Sequence, residues 1–326
     1  MVLSPIDDPA LEARFAALPP DGMTLFSLGR GSLRGALLHG TRMVNFMRAN
    51  HGLGPLETLV LGRAYLLAGL LSATIKGEDR LAFRVDGEGP AEGLSVEVQA
   101  DGSVRGYLLV DPIPFEAGPA AGPGGEAGGG EAPELWRRLF GRGALTMTRF
   151  SAAKGTPFSG TVAIGAEPGA GGGLAADLAA YYLRSEQTRS AFDAGIEFDR
   201  SGRAIGAGAL YIQALPGADE ALVEAAERSL AGLPPLGLWF SEGGTRDGFI
   251  AECLGPLEPE RLGEKRVAFN CGCSRERFAA FLQAGKRELL RDLAEKGPWP
   301  AEAACHNCGT VYRFPRDELL ALRDAT

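Results

Sequence analysis

"FNCGCSRERF" (269–278) places two cysteines one residue apart, and "ACHNCGTVYRF" (304–314) places two more at CxxC spacing. The whole chain has only five cysteines, so four of them lie in these two stretches. Paired cysteine clusters are a common ligand set for tetrahedral zinc, and neighbouring thiols can also form disulfides. The two stretches therefore predict a C-terminal unit built on a metal, on disulfides, or on both in turn.

Composition limits the possible functions. The chain has 326 residues, 45% of them hydrophobic, which suits one large domain or two to three smaller ones. Its net charge of −8 argues against nucleic acid as the main partner, because phosphate binding is driven by Lys and Arg. The N-terminal sequence lacks the pattern of a secretory signal, so we expect a cytoplasmic protein. Thiols stay reduced there, and clustered cysteines favour metal or redox chemistry.

One apolar stretch is nearly long enough to span a membrane. "LVLGRAYLLAGLLSATI" (Leu59–Ile75) lies at the short limit for a membrane helix, and Arg63 interrupts it. Pro55 before it and Gly77 after it are typical of helix ends. We therefore expect a buried core helix over 55–76 and no membrane association.

Periodicity predicts the other elements of an N-terminal core. A short helix over 41–50, capped by Thr41, precedes the buried helix, and His39 is interpreted as a surface or turn residue. "EAGPAAGPGGEAGGGEAP" (116–133) has nothing to bury and is expected to be a flexible insertion. Further strands are predicted at 81–86, 94–99, 104–110, 144–150, 159–165 and 208–216, with a helix at 174–192.

The pattern of apolar residues and helix breakers changes after this core, and we predict three parts of the chain. Residues 1–216 form the N-terminal α+β domain, 217–264 a connecting linker, and 265–326 a C-terminal domain. Within the linker, 217–233 has the pattern of an amphipathic helix, whereas 234–249 mixes apolar residues with helix breakers. We expect the linker to be largely helical and only marginally stable, with little intrinsic structure over 234–249.

The four clustered cysteines fit one zinc ion per chain. Two closely spaced pairs can each present both sulfurs to the same ion, and Gly309 gives the CxxC turn the backbone freedom it needs. His306 lies inside that turn and is not expected to be a ligand, and the isolated Cys253 is interpreted as a small buried residue. The predicted ligands are Cys271, Cys273, Cys305 and Cys308.

The zinc could be an inert staple or part of a redox switch. Small domains often need a metal in order to fold, which favours the staple. CxC is unusual in zinc ribbons, and its basic surroundings favour the switch, since Lys265 and Arg266 precede it and Ser274 is placed to cap a helix beginning at Arg275. We predict that Arg275 and Arg277 tune the thiolates, because cations and helix N-termini stabilise the ionised form. On these grounds alone both alternatives stay open.

The cysteine motifs also resemble a known family. Their pattern, together with "RGSLRGALL", "SVRGYLL", "YYLRSEQT" and "GALYIQALP" in the same order, resembles the heat-shock-protein-33 family of redox-regulated holdase chaperones over nearly the whole chain. The motif residues that carry the resemblance are Phe269, Cys271, Cys273, Ser274, Arg275, Glu276, Arg277, Cys305, Cys308, Gly309, Tyr312 and Phe314.

The resemblance implies a specific architecture and activity. It implies an α+β N-terminal domain, a largely helical linker wrapped on it, and a small C-terminal domain with four cysteines on zinc. The reduced, zinc-bound protein would be inactive. Oxidation would form the disulfides Cys271–Cys273 and Cys305–Cys308, release zinc, and unfold the linker and C-terminal domain. The exposed surface would then bind unfolding client proteins without ATP, as a homodimer and not as an enzyme.

Two other classes of function are considered. A thiol-disulfide oxidoreductase could use CxxC, but Cys305 and Cys308 do not lie in an evident βαβ unit. A nucleic-acid-binding zinc ribbon is also conceivable, but residues 265–326 carry 11 Lys and Arg against 8 Asp and Glu, a weak basic bias.

Overall fold

The long apolar stretch forms a helix at the centre of the fold. In a computed structural model, which describes residues 1–115, 133–153, 155–165, 173–285 and 287–325, the helix runs from Pro55 to Leu71. Pro55–Thr74 is the one segment of the described chain long and apolar enough to span a membrane, and 83% of its most apolar window is buried inside the fold. The prediction of a buried core helix is therefore confirmed.

The N-terminal part combines two sheets with helices. Its elements in chain order are α1 (Pro9–Ala17), β1 (Gly22–Leu28), β2 (Leu33–His39), α2 (Thr41–His51), α3 (Pro55–Leu71), β3 (Arg80–Gly87), β4 (Gly93–Gln99), β5 (Ser103–Leu108), α4 (Pro133–Phe140), β6 (Gly143–Phe150), β7 (Phe158–Ala163), α5 (Gly173–Ser185), β8 (Ser190–Phe198) and β9 (Ala204–Ala214).

Helices and short strands make up the rest of the described chain. The elements are α6 (Glu220–Ala231), α7 (Leu236–Ser241), α8 (Arg246–Leu254), β10 (Glu260–Lys265), β11 (Ala268–Phe269), α9 (Arg275–Ala284), α10 (Arg287–Lys296), β12 (Ala301–Ala304), β13 (Val311–Phe314) and α11 (Arg316–Asp324).

Helix α3 packs against strands of both large sheets. One sheet has the order β10-β1-β2-β9-β8 and the other β11-β5-β4-β3-β6-β7, and β12 pairs only with β13. Alternate residues of β5 face the interior, which is the pattern that predicts a strand with one buried face. Each large apolar side chain buried here contributes about 1.5–3 kcal/mol, so this α+β core has its own source of stability.

The predicted helix over 174–192 is too long. Helix α5 ends at Ser185, Gln187 has a positive φ of 53°, and strand β8 begins at Ser190. Strand β8 pairs along its length with β9, and the ring of Phe192 stacks on that of Tyr211 at 5.0 Å. Sheet pairing therefore overrides the local helical pattern after Ser185.

A distant carboxylate caps helix α2, so the prediction of a Thr41 cap is wrong. Asp21 accepts hydrogen bonds from the backbone N–H groups of Arg42, at 3.2 Å, and Met43, at 2.6 Å. The hydroxyl of Thr41 instead accepts from the N–H of Ala207 at 3.0 Å. A carboxylate at a helix N-terminus also interacts favourably with the helix dipole.

His39 is a buried strand residue, which corrects the prediction of a surface or turn position. Its side chain is 1% exposed on β2, and its ring stacks on Phe240 with centroids 4.6 Å apart. Burial lowers the pKa of His39 to about 4, so the ring is uncharged at neutral pH. His39 therefore belongs to the surface that receives helix α7.

Residues 217–264 are more structured than predicted. The stretch 234–249, expected to have little structure, forms α7 and the start of α8, and β10 pairs antiparallel with β1. Leu236 and Phe240 of α7 are buried against the five-stranded sheet. The helix depends on these tertiary contacts, so it cannot be predicted from the sequence of this segment alone. The predicted insertion over 116–133 lies outside the described residues apart from Pro133, where α4 begins.

Candidate metal centre

The four clustered cysteines meet at one point. The Sγ atoms of Cys271, Cys273, Cys305 and Cys308 all lie within 4.8 Å of one another, and all four residues are buried. The Sγ atoms of Cys271 and Cys305 are 3.8 Å apart, and those of Cys273 and Cys308 are 3.4 Å apart. Tetrahedral zinc with bonds of about 2.3 Å requires sulfurs about 3.8 Å apart. The cluster therefore has both the chemistry and the spacing of a Cys₄ metal site.

The CxC motif is positioned by a strand and a helix. Strand β11 pairs parallel with β5, and the N–H of Asn270 donates to the carbonyl of Val104 at 2.9 Å. Helix α9 begins directly after the motif, and Ser274 caps it by accepting from the N–H of Arg277 at 3.3 Å. The predicted Ser274 cap is confirmed, and Cys271 and Cys273 lie between two fixed elements.

The CxxC motif forms the turn between β12 and β13. The N–H of Gly309 donates to the carbonyl of Cys305 at 2.8 Å, and Gly309 has a φ of 68°. A Cβ atom at this position would lie 2.2 Å from the carbonyl oxygen of Asn50. Glycine is therefore required both by the turn, as predicted, and by the close approach of α2. His306 lies on the exposed side of the turn, against the ring of Tyr107 at 5.7 Å.

The cysteine cluster packs against the N-terminal part of the fold, a contact that the sequence patterns do not reveal. The side-chain amide of Asn50 donates to the carbonyl of Cys308 at 3.0 Å. The N–H of Gly106 donates to the carbonyl of Asn307 at 3.2 Å, and the Tyr65 hydroxyl donates to the carbonyl of Gly106 at 2.9 Å. The first two contacts tie the CxxC motif to α2 and β5, and Tyr65 of α3 fixes the position of Gly106 on β5.

Hydrogen bonds shift the pKa values of three of the thiols in opposite directions. A hydrogen bond from Cys305 strongly lowers the pKa of Cys271. Hydrogen bonding to Cys271 in turn strongly raises the pKa of Cys305 and raises that of Cys308 to about 11. The Tyr312 hydroxyl lies 3.1 Å from Cys273 Sγ. Of these three thiols, Cys271 is therefore the most readily ionised, and a bound divalent cation would favour the thiolate form of the cluster.

Comparison with known proteins places the chain in a family. The family model described as "Hsp33 protein" matches residues 21–315. The chain belongs to the Hsp33 family. It is 35% identical over 280 residues to the 33 kDa chaperonin of Desulforamulus reducens, covering 86% of this chain and 89% of that one. It is 32% identical to the 33 kDa chaperonin of Bacillus subtilis over 297 residues, 91% and 96% of the two chains.

A solved structure agrees with this assignment. The crystal structure of the 33 kDa chaperonin (heat shock protein 33 homolog) of Thermotoga maritima matches with a TM-score of 0.77 and 26% identity, covering 93% of this chain and 98% of that one. The resemblance to a chaperone family and the α+β fold class are confirmed. The residues matched by the family model, 21–315, include all four clustered cysteines.

The two arginines beside the CxC motif point to other partners in this Hsp33-family chain. Arg275 pairs with Glu318 and lies over the ring of Phe314, and Arg277 donates to the carbonyl of Gly272 at 2.6 Å. Their effect on the thiolates stays a prediction. A cation from the N-terminal part of the chain, Arg105 on β5, contacts a sulfur, with Nη1 3.9 Å from Cys271 Sγ.

The fifth cysteine of the Hsp33-family chain lies elsewhere. Cys253 is half-buried on α8, and burial raises the pKa of its thiol. A thiol with a raised pKa is less ionised and less reactive at neutral pH. Among the described residues, the side chains placed to share one metal ion are the other four cysteines and not Cys253.

Proposed function

We propose that this chain is a redox-regulated, ATP-independent holdase, inactive when reduced and zinc-bound and activated by oxidation of its four clustered cysteines. The observation that carries the proposal is the buried set of four sulfurs, held between the N-terminal sheet and the β12–β13 turn in a chain of the Hsp33 family. Its substrates are unfolding client proteins, whose aggregation it prevents. It is not an enzyme, and it acts in the cytoplasm.

The donor set supports zinc as the metal, at one ion per chain. Four thiolates in a tetrahedron are typical of structural zinc, which is bound with about 10–16 kcal/mol of apparent free energy. A whole domain is stable by only about 5–15 kcal/mol. Strands β12 and β13 form a two-stranded sheet, which has little stability of its own. The C-terminal domain therefore depends on the metal that its cysteines hold.

Oxidation removes the ligands. When peroxide oxidises two thiolates, a sulfur–sulfur bond forms, the peroxide O–O bond breaks, and two electrons and two protons convert the peroxide to two molecules of water. We propose the pairs Cys271–Cys273 and Cys305–Cys308, as in the family that the chain resembles. Sulfurs joined in this way no longer provide four thiolates, so the chain loses its hold on the metal.

The linker supplies the coupling to client binding. Helix α7 covers the five-stranded sheet with Leu236 and Phe240, which are 0% and 1% exposed. A helix this short is not stable without tertiary contacts. Once the C-terminal domain unfolds, we propose that residues 217–264 are released, exposing an apolar surface for clients on a chain that then assembles as a homodimer.

The burial of the cysteines argues against the oxidoreductase alternative. Cys308 is fully buried and Cys305 is 7% exposed, whereas an enzyme of this class must present a thiolate to the disulfide of its substrate. The CxxC pair also lies in a hairpin turn and not in a βαβ unit. Both observations favour a metal-bound switch.

Cysteine variants test the metal assignment. We expect Cys253→Ser to retain one zinc per reduced chain, because Cys253 lies outside the cluster. Cys271→Ser is expected to lose most of its zinc, since a hydroxyl is a poor replacement for a thiolate ligand. Metal analysis of the two purified, reduced variants gives the answer. Zinc loss in Cys253→Ser, or full retention in Cys271→Ser, would contradict the assignment.

A further inference from the structure

One cation of the N-terminal sheet reaches the cysteine cluster across the domain boundary. Arg105, on β5, places Nη1 3.9 Å from Cys271 Sγ, and its Nη2 donates to Glu97 Oε1 at 2.8 Å. The Arg105 side chain is 20% exposed, and its Nε atom is buried with no hydrogen-bond partner among the described residues. A guanidinium stays charged at every accessible pH, so this site carries a fixed, largely desolvated positive charge.

The neighbours of Arg105 do not neutralise it fully. Glu97, itself 16% exposed, also binds Arg80, whose Nη1 lies 3.2 Å from Glu97 Oε2. One carboxylate thus serves two guanidiniums, which leaves one net positive charge at this edge of the sheet. A divalent cation with four thiolates carries two net negative charges. The two sites are therefore electrostatically complementary.

Arg105 also lies where both cysteine motifs attach. Strand β11, just before the CxC, pairs with β5 at Ser103 and Val104, and Asn270 Nδ2 donates to Ser103 Oγ at 3.0 Å. On the other side of Arg105, the N–H of Gly106 donates to the carbonyl of Asn307 in the CxxC turn. Arg105 therefore lies between the two points at which the cluster is attached to β5. A change in the charge of the cluster alters the electrostatic interaction at this residue.

We propose that Arg105 is a positioning residue of the redox switch, providing the counter-charge that stabilises the metal-bound thiolates and docks the C-terminal domain on β5. The inference rests on the proposed zinc site. In the reduced state the guanidinium faces an anionic centre. Oxidation turns Cys271 Sγ into an uncharged disulfide sulfur, so Arg105 loses that partner in the step that costs the chain its metal. Docking and metal binding are then lost together.

A series of charges at one position tests this role. The full-length variants Arg105→Lys, Arg105→Met and Arg105→Glu are compared with the parent chain, by competition for zinc with a chromophoric chelator under reducing conditions. Loss of a contact to a metal ligand typically weakens binding 10- to 100-fold, so we expect a loss of about that size in Arg105→Met. Lysine should restore part of the affinity, and glutamate should weaken binding most.

The matched control is Arg80→Met. Arg80 shares Glu97 with Arg105 but lies on β3, and its guanidinium is placed over the ring of Phe150 at 3.9 Å. Its removal should weaken zinc binding much less than removal of Arg105, because Arg105 contacts Cys271 Sγ directly whereas Arg80 acts only through Glu97. Hydrogen exchange at 103–106 provides a second readout, since the reduced Arg105→Met protein should already have lost part of the protection that the parent loses on oxidation.

The outcomes separate the two claims. Zinc uptake by the parent chain tests the proposed zinc site. The differences in zinc affinity among the Arg105 variants test the role of Arg105. The role of Arg105 is overturned if Arg105→Met binds zinc as tightly as the parent, if Arg80→Met is weakened as much, or if lysine restores nothing. The proposed role is supported if zinc affinity falls progressively from Arg105→Lys to Arg105→Met to Arg105→Glu, and if hydrogen exchange at 103–106 changes only in the Arg105 variants.

Discussion

Removing zinc from the reduced chain is expected to abolish protection from hydrogen exchange over residues 217–326, while most of the protection over 55–110 remains. A structural zinc ion would supply free energy comparable with the whole stability of a small domain, so we do not expect the proposed C-terminal domain to remain folded without it. Helix α7 then loses the arrangement that holds it on the sheet. Helix α3 keeps its own core, because its contacts are with the two large sheets. Exchange measured by mass spectrometry with and without a chelator resolves the two regions.

The control is reversal under reducing conditions. Returning zinc to the chelated protein should restore protection throughout 217–326, and Cys253→Ser should behave like the parent chain. Strand β10 is the most informative segment for hydrogen exchange. It belongs to the linker in sequence but pairs with β1 in the five-stranded sheet, so its protection shows whether the linker is released up to that sheet. If α6, α7 and α8 stay protected after the metal has left, the linker is not coupled to the metal centre and the proposed activation route is wrong.

Forcing α7 off the sheet is expected to activate the chain without oxidation. A Cβ atom on Gly206 would lie 2.2 Å from the carbonyl oxygen of Gly237 and 2.4 Å from the N atom of Ser241. Both are backbone atoms, so no rotamer change relieves the clash. Overpacking costs about 1–3 kcal/mol, which shifts docking of α7 by roughly 5- to 150-fold. The reduced Gly206→Val protein should therefore suppress client aggregation while keeping its zinc.

A glycine elsewhere in the same sheet provides the matched control. Gly263 lies on β10, and a Cβ atom there would have nothing within 4 Å, so Gly263→Val should stay inactive when reduced. Protection of α3 shows whether either variant retains the core. A reduced Gly206→Val protein in which hydrogen exchange shows α7 released but which remains inactive would contradict the model of the linker as a gate. If α7 stays docked, the predicted clash at Gly206 is wrong.

The cysteine cluster could be predicted because its information is local. Each motif brings two sulfurs together within one turn, and the glycine after Cys308 marks that turn directly. Strands β3, β4 and β5 could be predicted for the same reason, since alternation is visible within each segment. The Ser274 cap is local as well, and the structure has it as predicted.

What the sequence could not provide depends on residues far apart in the chain. Arg105 meets Cys271 across 166 positions, through the parallel pairing of β5 with β11, and nothing near either residue signals that contact. Helix α7 contains glycine and follows two prolines, so its own propensity is poor, and it exists because β8 and β9 offer glycines that let it approach closely. The burial of His39 could not be predicted for the same reason, since its ring stacks on Phe240 of α7, a residue far away in the chain.

Simultaneous recording of zinc release and client aggregation during peroxide treatment tests the central claim most directly. The reduced protein is mixed with peroxide in the presence of a chromophoric chelator that can bind all released zinc but is too weak to remove zinc from the reduced chain. Samples are taken at intervals into an assay of a thermally unfolding client. The account predicts no protection before oxidation, release of one zinc per chain, and suppression of aggregation that follows release and is reversed by reductant with zinc. Full suppression by the reduced, zinc-bound protein, or complete zinc release with no suppression, would contradict it.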